Sequence, residues 1–286
     1  MAQTEIDMKK LPILFALACI LAPTLSAQEA AREIKWEKVP VQGELTGVTA
    51  PTATNVTEAL GTLKGKTWTA PSGRKFRRGS TAAAAARLML EAQPAMAKVK
   101  EVVGYCPRPM VEKKPESSLS NFLVDALMAK TAQLTGRKVD IGLMNFGGIR
   151  IDMPVGEVTV DDIMSMVPFR NHLVYVALKG SDVKRLFEDM AKGPIQVVGG
   201  VEVTVSKHRL IDLKVGGESV DDGKIYGLAT IDFLLDGGDR IYAARNAVEL
   251  IQTDVLIYDM VLERIRNLTA EGKVIEYHTD GRVKKI

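Results

Sequence analysis

Cysteine, histidine and long apolar runs are all scarce in this chain, and each shortage removes a class of function. Only two cysteines occur among 286 residues, Cys19 and Cys106. Loss of a leader containing Cys19 leaves one thiol, which cannot form an internal disulfide, so the fold must rest on its apolar core. The three histidines, His172, His208 and His278, show no i,i+4 or His-x-His spacing. A two-metal hydrolytic centre needs several histidines and carboxylates converging on adjacent ions, so the sequence predicts no metal site of its own. The formal net charge of +3 is too small to argue for nucleic acid or an anionic membrane surface. The densest basic cluster, Arg74-Lys75 with Arg77-Arg78, reads as a solvated loop.

The apolar run that does occur is N-terminal. Lys9-Lys10 precede the stretch Leu11 to Ala22, and Leu25-Ser26-Ala27 offers small residues before Gln28. A charged head, an apolar centre and a small-residue exit are the parts of a secretory signal. The run is shorter than the roughly 20 residues a membrane span requires. Residues 1–27 are therefore expected to be a signal peptide, with Met8 the more natural start, and the mature chain to be exported, periplasmic and without a transmembrane segment. Acylation at Cys19 is the alternative, but Ala16-Leu17-Ala18-Cys19 sets the leucine one place off and the apolar run continues past the cysteine.

Residues 28–98 are polar and turn-rich, so short strands and loops are expected there, followed by an alanine-rich helix from Thr81 capped by Ser80 and ended or restarted at Pro94. From 99 to 286 the pattern becomes regular. Leu119, Phe122, Leu123, Ala126 and Leu127 fall at helical spacing, with Gly136 to close that helix. Val139–Asn145 reads as a strand, Thr159-Val160-Asp161-Asp162 as a capped helix start, His172–Leu178 as a strand and Gly180 to about Lys192 as a helix. Val197–Val205, Leu210–Val215 and Ile225–Phe233 read as strands, Leu256–Leu268 as a helix and Val274–Val283 as a last strand. Strands and helices interleave without a strict βαβ rhythm. The expected fold class is α/β, a mixed sheet with helices packed on it.

Two motifs are set aside. Gly61-Thr62-Leu63-Lys64-Gly65-Lys66-Thr67 has one residue too few between its glycines for a phosphate-binding loop, and reads as a lysine-rich turn. Asn171-His172 has the look of a metal-binding pair, but Arg170 precedes it and Leu173 follows. What remains is a set of residues at strand ends: Asn145, Gly147, Gly148 and Arg150 in MNFGGIR, Phe169 and Asn171 in PFRN, Gly200 in VVGGVEV, and Phe233 and Asp239 in FLLDGGDRIY. Singly, the phenylalanines read as core, Asp239 as a turn residue and Gly199-Gly200 as a bulge.

In order, together with Gly156-Glu157-Val158-Thr159 and Glu116 to Asn121, these motifs resemble the C-terminal, substrate-binding domain of the secreted 5'-nucleotidases and UDP-sugar hydrolases. The likeness covers roughly residues 99–286. It implies a 5'-nucleotidase C-terminal-like fold in which Phe169 and Phe233 sandwich a nucleobase and Asn171 bonds the base. Asp239 would hold the ribose hydroxyls, while Asn145 and Arg150 face ribose and phosphate and Gly147-Gly148 let the backbone come close. An aromatic face accepts any base, an arginine fork suits phosphate, and a carboxylate accepts both hydroxyls of a diol.

The departures are as specific. The family's metallophosphatase domain has no counterpart between Gln28 and Lys98, which hold no Asp-x-His or His-x-His. The resemblance then implies no cofactor on this chain, with divalent metal ions on a separate metallophosphatase partner. The family's further arginines are replaced by Lys113 or Lys114, with Arg108 nearby, and Arg240 stands where a glycine is usual, narrowing the pocket. Three functions follow: the nucleotide-binding half of a split 5'-nucleotidase-type hydrolase, a non-catalytic nucleotide or nucleoside binder, or a structural domain that has lost the pocket.

Overall fold

Gly136 shows how directly the sequence sets local structure: in the left-handed region (φ 65°) it closes an 18-residue helix begun by reciprocal hydrogen bonds between Ser117 and Ser120. The computed structural model describes residues 55–77 and 79–286; the expected signal segment and residues 28–54 lie outside them. In chain order the first elements are α1 (Val56–Leu60), β1 (Thr62–Lys64), β2 (Thr67–Thr69), β3 (Lys75–Arg77) and α2 (Thr81–Met96). They form a three-stranded antiparallel meander with α2 against it. Gly65-Lys66 is its first hairpin turn, and Lys75–Arg77 is strand rather than the expected loop. Ser80 caps α2 by accepting from Ala83 N. The helix runs through Pro94 to Met96 instead of breaking there, because a proline so near the end removes only a terminal rung.

The larger part contains β4 (Val102–Cys106), α3 (Ser118–Thr135), β5 (Ile141–Met144), β6 (Gly156–Thr159), α4 (Val160–Met166), β7 (His172–Lys179) and α5 (Gly180–Ala191). Then follow β8 (Val197–Gly199), β9 (Val201–Ser206), β10 (Arg209–Val215), β11 (Glu218–Ser219), β12 (Ile225–Ile231), β13 (Glu249–Leu256), α6 (Ile257–Ala270) and β14 (Val283–Lys285). The central sheet has the order β13-β7-β12-β5-β8; only β5 and β12 run parallel, and its other neighbours are antiparallel. A second sheet, β11-β10-β9-β14, and the pair β4-β6 flank it. This is the mixed α/β class. Leu173 to Leu178 in β7 are all buried, as a strand covered on both faces requires, and α3 lies against β5, β8 and β12.

Three expected strands differ for identifiable reasons. Val197–Val205 is two strands in two sheets. Gly200 (φ 70°) bends the chain between them, at a point where a Cβ would stand 2.1 Å from the Asp140 carbonyl oxygen. The strand from Ile225 stops at Ile231, because the Asp232 carboxylate captures the Phe233 amide at 2.8 Å. Residues 274–282 are irregular. Their polar groups go to side chains and loops, with Ile275 N on Tyr105 O, Asp280 N on Glu116 and Tyr277 Oη on Asp125, leaving only Val283–Lys285 to join β9. The buried Arg282 grips both Asp125 and Asp280. Strands β4, β6, β11 and β13 lie outside the strands expected from the sequence.

Candidate nucleotide site

The carboxyl ends of β5 and β12 meet the amino end of β7 at one end of the central sheet. Register fixes this: Ala229 pairs with Gly142 in parallel and Ile231 with Leu173 in antiparallel, while Thr230 Oγ1 donates to the Leu143 carbonyl at 3.0 Å. Asn145 therefore leaves β5 beside the point where Asp232-Phe233 leave β12 and Phe169 to Asn171 enter β7. Loops leaving strand ends can carry ligand groups on a rigid base, which is what a binding site needs.

Contacts then join the candidates into one chain. The Arg150 guanidinium lies 6.0 Å from the centre of the Phe169 ring and donates to the Gly147 carbonyl at 3.3 Å. Asn145 Nδ2 donates to Asp239 Oδ2 at 2.8 Å. A Cβ on Gly147 would sit 3.4 Å from Asn145 Nδ2 and 3.5 Å from Asp239 Oδ2. Gly238, next to Asp239, lies so close to Phe233 that a Cβ there would come within 1.9 Å of its carbonyl oxygen and 2.9 Å of its ring. Phe169 and Phe233 are each 46% exposed, so neither is core. Among the described residues neither ring contacts another aromatic ring.

Asn145 is the polar centre. It is only 5% exposed, and its Oδ1 is buried without a partner among the described residues. An unsatisfied buried acceptor beside a carboxylate is a site for a donor such as a hydroxyl. Gly148 makes room for it, since a Cβ there would stand 2.9 Å from Asn145 Oδ1. The opposite wall is strained: Asp239 (φ 49°) and Arg240 (φ 64°) both adopt the left-handed conformation that non-glycine residues avoid. The tight turn is held by Gly237 N on Ile241 O at 2.7 Å and Arg240 N on Gly237 O at 3.0 Å.

Beside this chain opens a cavity of about 760 Å³, within the range of small-molecule sites. Gly147 and Asp239 line it, together with Lys114, Lys192, Arg240 and Arg245. Lys114, which also sits 5.5 Å over the Phe146 ring, is thus the lysine of the 113–114 pair that faces the site. Gln196, which accepts from the Phe146 amide at 2.9 Å, also lines it. The sequence did not point to Lys192, Gln196 or Arg245, which come from loops after α5 and after Asp239 and carry no motif.

Asn171 lies at the same sheet end, where its carbonyl accepts from Ile257 N at 2.9 Å. Its neighbour His172 pairs with Asp232 at 3.0 Å. Gly200 is not part of the cluster. Gly199 pairs with Gly142 and Val197 with Met144, so Gly200 stands at the far end of β5 from Asn145 and serves the chain bend. No group of three histidine, cysteine or carboxylate side chains is gathered as a metal site among the described residues.

The sequence pattern of the 5'-nucleotidase C-terminal domain matches residues 96–246. The chain belongs to that family. It is 26% identical over 187 residues to the trifunctional nucleotide phosphoesterase protein YfkN of Bacillus subtilis, a match covering 60% of this chain and 12% of YfkN. It is 31% identical over 113 residues to protein UshA of Escherichia coli, covering 38% of this chain and 20% of UshA. The 5'-nucleotidase precursor of Thermus thermophilus superposes with a TM-score of 0.62 at 25% identity, over 71% of this chain and 43% of that one. The matched region is less than half of each of these relatives. Among the described residues of this 5'-nucleotidase C-terminal domain, no helix is long and apolar enough to cross a membrane.

Proposed function

We propose that this chain is the nucleotide-binding half of a split 5'-nucleotidase-type hydrolase, working outside the cytoplasm in nucleotide catabolism. Phe169 and Phe233 clamp the base between them, with Asn171 on its edge. Asp239 takes the ribose hydroxyls, Asn145 Oδ1 accepts from one of them, and Arg150 faces the phosphate. The observation that carries this reading is the run of close approaches linking Phe169, Arg150, Gly147, Asn145 and Asp239, with Gly238, next in sequence to Asp239, packed on Phe233. Residues up to 94 positions apart in sequence converge there on a buried, unsatisfied amide oxygen. The relatives' own names, a nucleotide phosphoesterase and 5'-nucleotidases, point to the same substrate class.

The chemistry at phosphorus is assigned to a separate metallophosphatase subunit, whose divalent ions would polarise the phosphate ester. This chain contributes binding and orientation. Mixing it with such a subunit and divalent metal should raise phosphate release from AMP at least about tenfold, the smaller end of what positioning supplies. Binding of AMP without any gain in release would make the protein a non-catalytic nucleotide binder. Absence of binding would leave a structural domain.

A further inference from the structure

The cavity beside Asp239 is not lined by Phe169 or Phe233. A ligand stacked on those rings would reach the cavity only with another of its parts. Its walls carry four cationic side chains, Lys114, Lys192, Arg240 and Arg245, against two carboxylates, Asp189 and Asp239. One carboxylate is ion-paired and the other keeps its charge beside a neutral amide, so four cations against two carboxylates leave the lining net positive. Asp189 pairs with Lys192 at 2.6 Å and with Arg245 at 3.9 Å, and Asp239 accepts from Asn145. Arg240 differs from Lys192 and Arg245, because its guanidinium has no ion pair or hydrogen bond among the described residues. It is also held in a left-handed backbone conformation (φ 64°) that residues other than glycine rarely adopt. A strained residue presenting an unpaired planar fork to a cavity wall is arranged to meet an anion.

We infer that Arg240, flanked by Lys192 and Arg245, forms an anion subsite adjoining Asp239, and that the preferred ligand is a nucleotide bearing a phosphate group there rather than a plain nucleoside. The inference rests on the proposed nucleotide reading for the identity of the anion, though not for the subsite itself. Two sources can place a phosphate beside Asp239: a 2'- or 3'-phosphate, which leaves one free hydroxyl for the carboxylate, or the far end of a 5'-diphosphate chain. Arg240 takes it as a fork, whereas Lys192 and Arg245 supply charge that Asp189 only partly balances.

Calorimetric titration of the full chain with adenosine, AMP, adenosine 3'-phosphate, ADP and pyrophosphate separates the outcomes. The inference expects adenosine 3'-phosphate or ADP to bind about tenfold or more tighter than adenosine, as one charge-assisted pair supplies. Whichever of the two gains identifies the source. Arg240→Gly, which relieves the backbone, should remove that gain, so that the phosphate ligands bind no tighter than adenosine to the same variant. Lys192→Gln should reduce the gain and its salt dependence in part. If Arg240→Gly binds every phosphate ligand as the parent does, or no phosphate ligand outbinds adenosine, the subsite is refuted while the nucleoside clamp stands. Pyrophosphate binding that depends on Arg240, with no adenosine binding, keeps the subsite and refutes the clamp. No binding of any ligand refutes both.

Discussion

Asn145 and Asp239, 94 positions apart, share a hydrogen bond of 2.8 Å that ties the end of β5 to the turn after β12. The amide is the only group of the pair that can donate to a carboxylate at neutral pH. Asn145→Asp would replace that donor with a second negative charge in a buried position. The expected result is a loss of about 3 kcal/mol, the lower range for an uncompensated buried charge. In a domain of this size that is a Tm lowered by roughly 6 °C or more. Thermal unfolding measures it, and an unchanged Tm would show that the bond does not hold the turn.

The two glycines of the FGG turn make unequal demands. A methyl on Gly148 would press on Asn145 Oδ1, whereas one on Gly147 meets only ordinary contacts. Gly148→Ala should therefore turn the Asn145 carboxamide and weaken adenosine binding about tenfold, a single hydrogen bond to a well-placed partner. Gly147→Ala should fold with the parent's Tm. Equal behaviour of the two variants in both assays would contradict this reading.

Gly200 separates folding from binding. With φ 70° and the Asp140 carbonyl in the way, Gly200→Ala should destabilise by about 3 kcal/mol or more, through strain and a backbone clash together. Denaturant titration gives the loss. Ligand affinity of the folded fraction should be unchanged, and a specific loss of affinity would return Gly200 to the site.

The alkaline limb of stability depends on Tyr277. Burial, and then the hydrogen bond it donates to Asp125 at 2.7 Å, pushes its phenol up to about 12. A folded-state value above the unfolded one favours the protonated phenol in the native state, so this contribution is fully present below about pH 10 and lost as pH rises toward about 12. Tyr277→Phe should lower Tm at neutral pH by losing the hydrogen bond, yet flatten the fall of Tm above about pH 10. The same alkaline slope in both proteins would contradict the assignment. Tyr175 and Tyr258, raised first by burial, keep part of that slope.

Much of this fold was legible because its signals are local. Gly136, the Thr159 capping box and the continuous apolar run of β7 each mark a boundary within a few residues. The misread segments are those where long-range partners decide. Residues 274–282 have strand composition, but Tyr277, Asp280 and Arg282 bond to α3, to the Glu116 loop and to one another. Gly199-Gly200 reads as a bulge within the run from Val197, and a bulge does not tell that the two halves join different sheets.

The site followed the same division. Motifs at strand ends singled out Asn145, Arg150, Phe169, Phe233 and Asp239, which the fold brings to one end of the central sheet, whereas the basic wall formed by Lys192, Arg240 and Arg245 is assembled only by folding. In the sequence Arg240 stands out as an odd residue that implies a narrower pocket. Its unpaired guanidinium emerges only from the geometry.

The central claim is that the two half-exposed phenyl groups act as one base clamp. The most direct measurement is calorimetric titration of adenosine into the parent, Phe169→Ala and Phe233→Ala proteins, with Tm as a control for folding. Each truncation should reduce affinity by about 1–3 kcal/mol, the worth of a stacked base, with little change in Tm. Parent-like affinity in either folded variant would contradict the clamp.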